Sequence, residues 1–228
     1  MITVTEQFVP PRLADPRIAP IADHYQALVN RLLPLDATKG AELRSIGITS
    51  SGVAEGVSTV AAELALTAAS LSTQPVLLLD MNTTDAGRAG TLRAWRQLGI
   101  FDAGTATDAD TSGIIHSRYE NLSLLSCRDA EQLKPLPFDR PRMVQLLREL
   151  NEEYGLVIVD LPPATDSSVA LAMAGLLAGV VLVVEAEQTR FESAQRATRS
   201  LQQAQANLLG VILNKRPQHI PEWLYERL

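Results

Sequence analysis

The chain has 228 residues, 46% of them hydrophobic, and a formal net charge of −6 from 20 Lys plus Arg against 26 Asp plus Glu. That is enough apolar material for one substantial core, and the basic residues form no run, which excludes nucleic acid as a partner. The single Cys127 rules out an intramolecular disulfide, and no apolar stretch approaches the ~18 residues of a membrane span. The segment MITVTEQFVPPRLADPR lacks the basic-then-apolar layout of a signal peptide, so a cytoplasmic setting is expected.

Residues 1–20 hold four of the thirteen prolines and no sustained periodicity, which predicts an extended arm ahead of a single domain over 21–228. Ile21, Tyr25, Leu28 and Leu32 recur at steps of three and four, so a helix over Ile21–Leu33 precedes the first strand. Ser45–Thr49 is a short apolar run that leads through a loop into the Ala/Leu-rich helix Ser58–Leu71. Further buried strands are expected at Pro75–Asp80, Asn121–Leu125, Leu156–Asp160, Val180–Glu185 and Leu208–Leu213, several of them nearly continuous Val/Ile/Leu. Helical spacing fills Pro141–Glu153, Ser167–Leu177 and Arg190–Ala206, whereas Asp85–Tyr119 reads as irregular and as the place for insertions. Alternating strands and helices of these lengths predict an α/β fold with an open, mostly parallel, doubly wound sheet. No internal repeat is present.

Two predicted strands end in aspartate, at Asp80 and Asp160, and ligands of open parallel sheets bind beyond the carboxyl ends of strands. A single such aspartate is as often only the cap of the next helix. Between the first strand and its helix lies Thr49-Ser50-Ser51-Gly52-Val53-Ala54-Glu55-Gly56-Val57-Ser58-Thr59. This is the setting of a phosphate-binding Walker A loop, with Gly56 and Ser58 in place, Ser51 at the first glycine and Val57 at the lysine.

The loop resembles the TSS-x-PGEGKST segment of the bacterial tyrosine kinases (BY-kinases) of capsule and exopolysaccharide synthesis, a branch of the MinD/ParA-like P-loop proteins. Val53, Ala54 and Val57 replace its Pro, Gly and Lys. PVLLLDMNTT resembles the second Walker motif, where the family carries Asp-x-Asp and a basic residue; Asp80 matches, Asn82 and Thr84 do not. GLVIVDLPPATD resembles the Walker B segment through Asp160, Pro162 and Pro163. VVLVVEAEQTR with Thr189-Arg190, LLGVILNKR with Asn214 at the base-facing asparagine, and the terminal PEWLYERL complete an ordered series. The resemblance implies a P-loop fold and a nucleotide site at Glu55, Gly56, Val57, Ser58, Thr59, Asp80, Asp160 and Asn214.

The departures weigh against catalysis. A lysine at ~4 Å from phosphate, at an effective dielectric near 20, contributes about 4 kcal/mol, or roughly three decades of affinity. Phosphoryl transfer depends chiefly on such electrostatic stabilisation. Asn82 removes a carboxylate from the metal's surroundings in the family pattern, and Ala54 adds a Cβ where backbone approaches phosphate. Tyr25, Tyr119, Tyr154 and Tyr225 are widely separated where family members end in a tyrosine cluster, and Asp23, Gln26 and Val29 stand at the places of its Glu-x-x-Arg-x-x-Arg oligomerisation motif. Ring assembly by those arginines is not expected, while a homo-oligomer of another kind stays open.

The expected function is therefore that of a non-catalytic pseudokinase. The resemblance gives it an inner-membrane polysaccharide co-polymerase or another exopolysaccharide export protein as partner, and a peripheral place at that membrane. No cofactor is expected beyond weak binding of ATP or ADP with magnesium. The alternative is an active, divergent ATPase or tyrosine kinase in which Lys39, Lys134 or Lys215 replaces the missing lysine, although each reads as a solvated surface residue. A partition-type or Min-type positioning ATPase fits less well, because Pro162-Pro163 and Thr189-Arg190 favour the kinase branch. His24, His116 and His219 share no metal-ligand spacing with Cys127, so no metal site is expected, and no Gly-x-Ser-x-Gly elbow supports a hydrolase.

Overall fold

The computed structural model describes residues 19–32, 44–82, 84–100, 114–127 and 139–217. Most of the expected arm, Lys39, Lys134, His219 and the terminal PEWLYERL lie outside the described residues. The elements in chain order are α1 (Ala19–Leu32), β1 (Ser45–Ser50), α2 (Val57–Leu71), β2 (Val76–Asp80), α3 (Asp85–Gln97), β3 (Ile114–His116) and β4 (Leu122–Ser126). They continue with α4 (Arg140–Glu153), β5 (Leu156–Asp160), α5 (Ser168–Ala174), β6 (Gly179–Glu185), α6 (Phe191–Gln203) and β7 (Leu208–Asn214).

The strands form one seven-stranded sheet in the order β3-β4-β2-β5-β1-β6-β7, parallel throughout except for β3 against β4. Because side chains alternate across a strand, each of the central strands feeds two separate cores. Ile46, Ile48, Leu78, Ile158, Val181 and Val183 face α1, α2 and α3, whereas Leu77, Leu79, Val157, Val159, Val180 and Leu182 face α4, α5 and α6. This explains the continuous Val/Ile/Leu runs, which mark strands covered on both faces. β1 sits between β5 and β6, so its carboxyl end and the loop that follows lie near the middle of the sheet.

Two elements were not expected from the sequence, and others differ in their bounds. The stretch read as irregular contains α3 and the short strand β3. α3 carries Gly87 and Gly90, each costing about 1 kcal/mol against alanine in a helix, and only Thr91, Ala94 and Trp95 are buried. Its inward stripe thus begins with a polar residue, which hides the helical period. Tertiary packing overrides that weak propensity: Trp95, Leu98 and Ile100 are buried in the α2-side core, and the Thr84 hydroxyl caps the helix by accepting from Gly87 N at 3.1 Å. α1 starts at Ala19, two residues inside the expected arm, and α5 stops at Ala174 instead of reaching Leu177.

Removing the Trp95 side chain leaves the largest hole this packing allows. Trp95→Ala is expected to lower stability by about 3–5 kcal/mol. Urea unfolding followed by far-UV circular dichroism measures it.

Candidate functional site

The loop after β1 is held by its own carboxylate. Glu55 is buried, and its side chain accepts from Ser51 N at 2.8 Å, from Ser51 Oγ at 2.9 Å and from Gly52 N at 3.0 Å. Thr189, on the turn after β6, also donates its hydroxyl to Glu55 Oε1, and Thr165 Oγ1 donates to Ser51 O at 2.8 Å. Backbone donors at the start of the loop are therefore satisfied from within the protein. Ala54 and Gly56 adopt left-handed conformations, with φ of 63° and 94°. For Ala54 that costs roughly 1–2 kcal/mol, a strain that glycine at this place would not carry. At Gly56 a Cβ would collide with the Asn214 amide, so glycine is needed there for close approach.

The carboxyl end of β7 closes over the same loop. Asn214 Nδ2 donates to Glu55 O at 2.9 Å, and Lys215 Nζ donates to Ala54 O at 2.6 Å while pairing with Glu185 Oε2 at 2.9 Å. Trans peptide planarity puts a carbonyl and the following N–H on opposite sides. Pulling these two carbonyls toward β7 therefore turns the N–H groups of Glu55 and Gly56 the other way. Lys215 is thus not the freely solvated residue the sequence suggests: it is half exposed, yet its charge is matched by Glu185 and its ammonium is tied to the loop backbone.

The remaining loop residues divide. Val57 opens α2, 9% exposed as a residue and packed in the core, so it offers nothing polar at the place where the resembled loop has lysine. Ser58 is half-buried and faces Thr91, with 3.3 Å between the hydroxyl oxygens, whereas Thr59 is exposed. Gly56 caps α2 without a side-chain acceptor.

Asp80 and Asp160 lie side by side, as partners in the register of β2 and β5, and both are 1% exposed. Neither caps a helix: Thr84 caps α3 and Ser167 caps α5. Asp80 Oδ1 accepts from Asn82 N and Asn82 Nδ2, both at 2.9 Å, and Oδ2 accepts from Ser126 Oγ at 3.3 Å. Asp160 Oδ2 accepts from Thr91 Oγ1 at 3.1 Å, while Oδ1 has no hydrogen-bond partner among the described residues. Burial raises the pKa of both groups. For Asp160, burial first and the neighbouring Asp80 second raise it from 3.8 to about 7, against hydrogen bonds from Ser58, Thr91 and Asn82. For Asp80, burial outweighs the donors Asn82, Thr91 and Ser126.

The magnesium that the resemblance implies takes near-octahedral oxygen ligands at about 2.0–2.1 Å. Such an ion is ordinarily held by one or two carboxylates together with phosphate oxygens and water. Asp80 and Asp160 supply two carboxylates here, and Asp160 Oδ1 has no partner among the described residues, while Asn82 turns its NH2 toward Asp80 and Thr91; no larger cluster of His, Cys, Asp or Glu is placed to hold a metal among those residues. The fold thus brings the two strand-end aspartates of the sequence together and adds Thr91 and Ser126, which sequence reasoning misses, while Lys215, one of the three lysines named as a substitute cation, is found against the loop backbone. Thr91 carries no motif, and its helix has too weak a period to point to it.

Two outcomes follow from this geometry. A raised aspartate pKa means that the folded state holds a proton the unfolded state has released, so stability falls as pH rises from about 4 to about 7. Thermal melts across that range should show the decline, and Asp160→Asn should flatten it and raise the melting temperature at the alkaline end. Lys215→Met should speed amide hydrogen exchange severalfold at residues 51–56 with little change in the global melting temperature, as a local latch requires.

No family model matches the chain. Its sequence is 26% identical over 179 residues to the tyrosine-protein kinase CpsD of Streptococcus agalactiae, covering 77% of each chain. Its fold superposes on the kinase domain of the Escherichia coli tyrosine kinase ETK with a TM-score of 0.65 at 22% identity, covering 95% of this chain and 85% of that one. A more distant match is the cell-division protein MinD of Aquifex aeolicus, with a TM-score of 0.54 at 19% identity over 81% of this chain and 72% of that one. The chain is a sequence relative of the bacterial tyrosine kinases, built on the MinD/ParA-type P-loop fold.

Proposed function

We propose that this chain is a non-catalytic pseudokinase that regulates exopolysaccharide or capsule synthesis or export by docking on an inner-membrane polysaccharide co-polymerase, at the cytoplasmic face of that membrane. The observation that carries the first half is Val57, buried in the core at the place where phosphoryl transfer in the resembled family needs a lysine. Without that charge, the loop loses about 4 kcal/mol of attraction for phosphate by the Coulomb estimate at ~4 Å and an effective dielectric near 20. Lys215 points away from that place: its ammonium pairs with Glu185 and donates to Ala54 O.

The second half rests on the kinship with bacterial tyrosine kinases. Val29 supports an assembly unlike the family's ring: it is fully buried where the oligomerisation motif has its last arginine, so no arginine can be offered from that point of α1.

Isothermal titration with ATP and magnesium at millimolar ligand is the test. No heat is expected from the wild type, and Val57→Lys is expected to restore measurable binding. Micromolar binding with hydrolysis by the wild type would overturn the reading in favour of a divergent ATPase or tyrosine kinase.

A further inference from the structure

Beside the loop after β1 lies a cavity of about 530 Å³, lined by Ser51, Thr165, Asp166, Arg196, Arg199 and Ser200. That volume falls within the ~300–1,000 Å³ of small-molecule sites. α6 supplies three of these residues. Its Ala197 and Leu201 are buried, and Arg199 and Ser200 stand three and four places after Arg196, which puts all three on one face of the helix. Ser51 and Thr165 supply the loop side, joined by the bond from Thr165 Oγ1 to Ser51 O at 2.8 Å.

The protein itself leaves the two arginines poorly matched. Among the described residues, Arg196 donates only within its own helix, to Ser193 Oγ at 3.1 Å, and the Arg199 guanidinium has no hydrogen bond or ion pair. Asp166, in the same cavity, pairs with neither. Like charges three places apart on a helix repel, and here they go unpaired in a chain of net charge −6, where carboxylates are plentiful.

We propose that this cavity binds a small phosphate ester, with Arg196 and Arg199 taking the phosphate and Asp166 and Ser200 taking hydroxyl groups of the same ligand. A guanidinium presents its N–H donors in a planar fork that matches phosphate oxygens. The Asp166 carboxylate repels a bare anion but accepts from a hydroxyl, which selects an ester over free phosphate. The site uses none of Glu55, Gly56, Val57, Ser58, Thr59, Asp80, Asp160 or Asn214, and it needs neither metal nor nucleotide.

Calorimetric titration of the whole chain in EDTA, with glycerol 3-phosphate and with inorganic phosphate at millimolar ligand, is the test. The wild type is compared with Arg196→Gln/Arg199→Gln and with Arg140→Gln/Arg142→Gln, which removes the same charge from the exposed start of α4. The wild type is expected to bind the ester saturably and more tightly than free phosphate, the α6 variant roughly tenfold or more weakly, and the α4 variant as wild type does. Amide NMR shifts are expected at Thr165, Asp166, Arg199 and Ser200. No saturable binding, an α6 variant as tight as wild type, equal losses in both variants, free phosphate bound as tightly as the ester, or shifts confined to residues 55–59 would each overturn the proposal. Arg196 and Arg199 are exposed, and either single substitution carries the contrast should the double one not fold. Heat from ATP with magnesium that survives the α6 variant belongs to the loop and bears on the pseudokinase reading alone, so the two readings fail separately.

Discussion

Two carboxylates paired across neighbouring parallel strands, with 1% of either residue exposed, are a costly feature for any fold to hold. Like charges brought out of water repel and lose their hydration, so the protein around them has to supply donors or a proton. It supplies both. Asn82 and Ser126 serve Asp80, Thr91 serves Asp160, and burial beside Asp80 raises the affinity of Asp160 for a proton until it titrates at about 7. The Thr91 contact needs α3 in place, and α3 is in place because Trp95 and Leu98 bury against the core that also receives α2. The hydrophobic core therefore positions the polar one.

The loop after β1 follows the same logic of internal satisfaction. Its donors at Ser51 and Gly52 are met by Glu55, and its carbonyls at Ala54 and Glu55 are met by Lys215 and Asn214. A phosphate-binding loop needs N–H groups and positive charge aimed at one place. This loop retains the backbone course, including the left-handed residues that shape it, while Lys215 beside it is paired with Glu185 and its helix begins with a buried valine. The loop's side chains and much of its backbone are thus engaged within the protein.

Much of this was legible in the linear sequence, for definable reasons. Strands covered on both faces must be apolar at nearly every position, so β1, β2, β5 and β6 declare themselves, and helices between them require a parallel sheet. Asp80 and Asp160 end such strands and so had to emerge at one edge of the sheet. The loop declared itself through Gly56 and Ser58, and its departures through Val57 and Asn82. α3 did not, because its buried stripe runs through Thr91 and two glycines weaken its helical signal.

The sequence by itself determined the α/β class, the order in which strands appear along the chain and the valine at position 57, since these depend on period, composition and identity at single positions. Only the tertiary structure decided that Lys215, distant in sequence, reaches the loop, and that the hydroxyl of Thr91 lies between two carboxylates. Such contacts join residues up to 161 positions apart, and they are set by how β7 and α3 pack on the sheet, which no local pattern encodes.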